Sequence, residues 1–83
     1  MKLANELNYV VEQFNKITDL EAYATHLKEH GKYKDFEKRL AWDCLHKTVP
    51  SSVICEWYDK YNCTDDHITT LAKNALKIVR KES

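Results

Sequence analysis

Two pairs of side chains have the spacing that metal chemistry uses: His26 with His30, and Cys63 with His67. Each pair is four residues apart, so a helix places both members on one face. Neutral imidazole and thiolate are zinc ligands. Structural zinc sites also bring a tight Cys-x-x-Cys knuckle, however, and this chain has none. The expectation is a metal-free protein with exposed helix histidines. Nucleophilic chemistry would need Cys44, Cys55 or Cys63 beside a base. Cys63 is the best placed, because it precedes a helix whose positive end lowers a thiol pKa. Asp65 and Asp66 push that pKa the other way. With 83 residues and one glycine, the chain also has little from which to line a catalytic pocket. The expectation is no enzyme, no catalytic residues and no cofactor.

Helices must position these residues, since one Gly and one Pro leave little room for strands, hairpins or long linkers. Leu3, Leu7, Val10, Val11, Phe14 and Ile17 form one stripe of a first helix. Thr18-Asp-Leu-Glu21 reads as a capping box for a second, which buries Leu20, Tyr23, Ala24 and Leu27. His30-Gly31 ends it, with Gly31 in the left-handed conformation. A third helix from about Lys34 to Thr48 turns Tyr33, Phe36, Leu40, Ala41, Cys44 and Leu45 inward. Pro50 suits the first turn of a fourth, to Tyr61, with Ser51 and Ser52 able to cap amides. That helix buries Val53, Ile54, Trp57 and Tyr61. Asn62-Cys63 breaks it, and Thr64 or Asp65 caps a fifth carrying Ile68, Leu71, Ala72, Ala75, Leu76 and Val79 on one side. Acids open this last helix and Lys77, Arg80 and Lys81 close it, matching its dipole. The fold expectation is all-α: one domain, 1–83, of about five short helices in an orthogonal bundle rather than a coiled coil.

Charge narrows the partners. The formal net charge is zero, whereas general nucleic-acid binders carry a basic excess. Leu40-Ala41, the turn at 49–52, then Val53 and Trp57 mimic a helix-turn-helix. The would-be recognition helix nevertheless carries Glu56 and Asp59 against a single Lys60, which opposes approach to phosphates. An odd number of cysteines without framework spacing points to reduced thiols and the cytoplasm. No signal-peptide core or membrane span is expected, so any membrane role would run through a partner.

The oddest residue is Trp42, roughly 150° from the centre of its helix's apolar stripe. Lys38 and His46 share that side. Either another helix covers this face, or Trp42 is exposed as an interface anchor. Lys73, Lys77, Arg80 and Lys81 make a basic side on the fifth helix, fit for anionic lipid, for an acidic partner segment, or for dipole compensation and solubility. The candidate partner contacts are therefore Trp42, Lys38, His46, Lys73, Lys77 and Arg80.

Arg39-Leu-Ala-Trp-Asp-Cys44, Ile54-Cys-Glu-Trp-Tyr-Asp59 and Asp66-His-Ile-Thr-Thr-Leu-Ala-Lys-Asn-Ala-Leu-Lys77 together resemble the cytoplasmic lysis-inhibition accessory proteins (antiholins) of T-even bacteriophages. The resemblance implies a protein of the host cytoplasm that binds the cytoplasmic segment of a phage holin and delays lysis. The reading is thus a non-enzymatic protein-binding regulator. Its alternatives are a small phage-type helix-turn-helix transcriptional regulator and an inhibitor of a host enzyme.

Overall fold

The computed structural model describes residues 3–31 and 35–82. Tyr33 and Lys34, expected at the start of the third helix, lie outside them. A 3-10 turn, Leu3–Glu6, leads into α1 (Leu7–Asn15), followed by α2 (Leu20–Glu29), α3 (Phe36–Thr48), α4 (Ser51–Tyr61) and α5 (Asp65–Glu82). The described residues form an all-α bundle, as expected.

Its core is one cluster. Val10, Phe14, Leu40, Ala41, Leu45, Ile68, Ala72 and Ala75 are fully enclosed. Three of these are alanines, on α3 and α5, and small side chains there let helix axes come close. α5 is the hub: it packs on α1, on α3 and on the 3-10 turn, while α2 rests on α3. A radius of gyration of 12.5 Å, against about 12 Å for a single domain of this length, fits one core.

The ends of the helices depart from the sequence reading in four places. First, the stripe from Leu3 to Ile17 is not one helix. The 3-10 turn carries Leu3, and Lys16 and Ile17 donate back to Gln13 and Phe14 at 3.1 Å each, closing α1 at Asn15. Second, the Thr18–Glu21 capping box does not form. Asp19 takes the cap position without a side-chain bond, and the Glu21 carboxylate instead receives Arg80 Nε at 2.8 Å and Nη2 at 3.2 Å.

Third, Gly31 does not adopt a positive φ. Its lack of a side chain serves close approach, since a Cβ there would meet the Leu27 and Lys28 carbonyl oxygens, each at 3.0 Å. The left-handed residue is Asn62, φ 49° and ψ 45°, directly after α4. Asn is the non-glycine residue best suited to that conformation. Fourth, neither Ser51 nor Ser52 caps α4; Pro50 precedes it, its carbonyl accepting from Val53 at 3.0 Å and Ile54 at 3.3 Å.

α5 starts with an arrangement that the sequence reading overlooked. Thr64 N–H donates to His67 Nδ1 at 3.0 Å, while the Thr64 carbonyl accepts from the amides of His67 and Ile68. Here a histidine does what Glu or Gln does in a capping box. Because Nδ1 accepts, the ring proton of neutral His67 sits on Nε2.

Candidate functional site

Each expected partner contact has a definite place. Trp42 is partly buried, and its indole N–H donates to Thr69 Oγ1 on α5 at 2.8 Å. The Thr69 hydroxyl in turn donates to the Asp65 carbonyl at 2.8 Å. His46 stacks on the outer side of the indole, ring centroids 5.7 Å apart and tilted by 30°. Of the two alternatives for Trp42, α5 thus supplies cover on one side and the ring keeps an open edge on the other. Lys38 and His46 are exposed beside it.

Two members of the basic side of α5 are tied into the bundle. Lys73 pairs with Asp35 at 3.0 Å, bridging to the start of α3. Arg80 forms the two-bond pair with Glu21 of α2. Lys77 remains exposed. These contacts hold helices together, and Lys77 forms no ion pair among the described residues.

The three cysteines sit in different surroundings. Burial pushes the Cys44 thiol up to about 11, so it stays protonated at neutral pH. Cys63, buried, donates its thiol to the Trp57 carbonyl at 3.4 Å. Cys55 is exposed on α4. Of the Cys63–His67 pair, the thiol goes to the Trp57 carbonyl and the His67 Nδ1 to Thr64. Among the described residues no group of three or more His, Cys, Asp or Glu could hold a metal ion.

Three tyrosine–carboxylate pairs lace the elements instead. Tyr23 donates to Asp43 at 2.5 Å, and Asp43 also receives Arg39 Nε at 3.3 Å. The bond to Asp43, with burial second, pushes Tyr23 up to about 12. Lys47 stands 4.6 Å above the same ring, so α2 and α3 share a polar clasp. Tyr58 donates to Asp65, and that bond, with burial, pushes it up to about 12. Tyr61 donates to Glu6, which raises its pKa as well and ties α4 to the 3-10 turn.

An opening that pattern reading missed lies between the 3-10 turn and the first half of α5. It is an open groove of about 210 Å³ lined by Leu3, Ala4, Leu7, His67, Thr70, Leu71 and Asn74. Its floor is leucine, and Ala4, Thr70 and Asn74 stand exposed on its rim. The pattern reading placed Leu3 and Leu7 on one stripe of a single helix. Leu7 is only partly buried, because the tight turn before it carries Ala4 to the side of α5 without filling the space above Leu71. The available signal was Asn5 and Asn8, weak helix formers flanking the first leucines.

No helix among the described residues is long and apolar enough to cross a membrane. α4 exposes Glu56 and Asp59 beside Lys60, so the face that a DNA-reading helix would present is not basic. No family model, curated protein or solved structure matches the chain.

Proposed function

We propose that this protein is a non-enzymatic regulator that binds another protein, with the groove between the 3-10 turn and α5 as its docking surface. The observation that carries this reading is the groove itself: Leu3 and Leu71 are nearly buried at its base, Leu7 is half-buried, and the exposed Ala4, His67, Thr70 and Asn74 surround them. Such a groove fits the apolar anchors of an amphipathic helix. The resemblance to T-even antiholins supplies the partner class, the cytoplasmic segment of a phage holin. Binding the inactive holin more tightly than its pore-forming assembly shifts the population toward the inactive form, and lysis is delayed in the host cytoplasm. That action needs a docking surface and no active site.

A labelled peptide carrying the cytoplasmic segment of a T-even holin, titrated against the protein, tests both halves of the proposal. Saturable binding is expected. Ala4→Glu and Asn74→Glu change exposed rim residues, so melting temperature should hold while affinity falls at least tenfold. A wild-type protein that ignores the peptide overturns the holin reading. Unchanged affinity in both rim variants overturns the groove. Mobility shifts of duplex DNA at low salt would instead favour the transcriptional regulator.

A further inference from the structure

The C-terminal end of α2, with the residue that follows it, holds a second constellation, which shares no residue with the docking groove. His26 and His30 are both exposed, with ring centroids 4.4 Å apart and planes tilted by 48°. The helix sets their spacing, since His30 N–H donates to the His26 carbonyl at 3.0 Å. Among the described residues neither ring makes a hydrogen bond to the rest of the fold. The other two histidines are engaged: His46 lies against Trp42, and His67 holds Thr64.

We propose that His26 and His30 form a two-point site for a divalent transition-metal ion such as Ni²⁺ or Zn²⁺, with water completing the coordination sphere. Bonds of ~2.0–2.1 Å to two imidazoles, at angles between square and tetrahedral, put the two nitrogens about 3 Å apart. Rings already facing each other at this separation reach that geometry by side-chain torsions alone. Borderline ions prefer imidazole donors. The negative end of the α2 dipole favours a cation at this turn. Lys28, the one positive residue between the two, lies two positions from each and so projects from another side of the helix. With two protein donors the ion exchanges freely, unlike a structural zinc. While bound, it bridges one full helical turn directly before Gly31 and so holds the end of α2 closed.

The test uses the full chain without an affinity tag, with Cys55→Ser to remove the exposed thiol, and the metal salts alone. One saturable site per chain is expected for Ni²⁺, with Co²⁺ weaker, following the usual order of divalent affinities. Because the paired geometry exists only in the folded helix, the melting temperature should rise with metal concentration. Paramagnetic Ni²⁺ should broaden the ring resonances of His26 and His30 and spare those of His46 and His67. His30→Ala should weaken binding at least tenfold. Lys28→His combined with His30→Ala keeps the number of imidazoles but moves one off the face, and should not restore it. Undiminished binding in His30→Ala, or broadening spread evenly over all four histidines, overturns the proposal.

Discussion

The two tryptophans sit at different seams, and each seam is held in a different way. Trp57 lies between α4 and α1, 3% exposed, with Tyr9 standing edge-on at 6.4 Å and 90°. That seam is apolar contact and shape. Trp42 lies between α3 and α5, partly buried, and is fixed by one directed bond to Thr69. The seam also carries the Lys73–Asp35 pair. Hydrophobic burial scales with the area removed from water, whereas a neutral hydrogen bond contributes about 1 kcal/mol net. The Trp57 seam should therefore dominate stability, and the Trp42 seam should set how α3 is aligned along α5.

The sharpest way to break the comparison is Trp57→Ala. It removes a large, enclosed side chain and strips Tyr9 of its partner, so a loss of about 3–5 kcal/mol is expected in chemical denaturation. Trp42→Ala removes a ring that is already part-solvated, and the loss should be smaller, about 2 kcal/mol. Equal losses at the two positions would mean that the seams do not differ as described. A near-neutral Trp42→Ala would mean that the indole is not held by α5 at all, and would return it to the role of free interface anchor.

Thr69→Val separates the bond from the burial. Valine matches the shape but leaves the indole N–H without its acceptor, an expected cost of about 1 kcal/mol. Paired with Trp42→Phe in a double-mutant cycle, the two changes should be less than additive, because each removes the same bond. Strict additivity would sink the claim that Trp42 and Thr69 are coupled.

The contrast between the seams also marks how far the sequence could be read. Trp57 was legible: it falls on its helix's stripe with Val53, Ile54 and Tyr61, and period alone places such residues inside. Ile68, Leu71, Ala72, Ala75, Leu76 and Val79 of α5 were legible for the same reason, and all six are buried. Trp42 was not, because a wheel reports one helix's own pattern and says nothing about which neighbour covers a flank. The side chains that redirected the helix ends share that origin. Glu21 satisfies the local capping pattern, yet a guanidinium 59 residues away takes its carboxylate. His67 could be recognised as a cap only once Thr64 was seen turned toward it. The groove beside α5 is harder still, since it is defined by volume that no side chain fills, and residue periodicity has no symbol for that.

The smallest effect expected concerns Asp35, at the polar end of the α3–α5 seam. Its carboxylate accepts the Lys38 amide at 3.0 Å and pairs with Lys73 at 3.0 Å. These contacts, the Lys38 amide first, hold the carboxyl below the usual carboxylate range. A depressed folded value means stability that is present above the unfolded pKa of ~3.9 and lost as pH falls through the lower folded value. Asp35→Asn keeps a competent helix cap and removes only the charge. Above about pH 5 the variant should melt slightly below wild type, and the gap should close progressively as pH drops under ~4. Added salt at neutral pH should narrow the same gap, because the pair with Lys73 is exposed and screened. A gap that stays constant from neutral to acid pH would show that the Asp35 charge contributes nothing to the seam, leaving the bond from Trp42 to Thr69 as its only directed contact among those described.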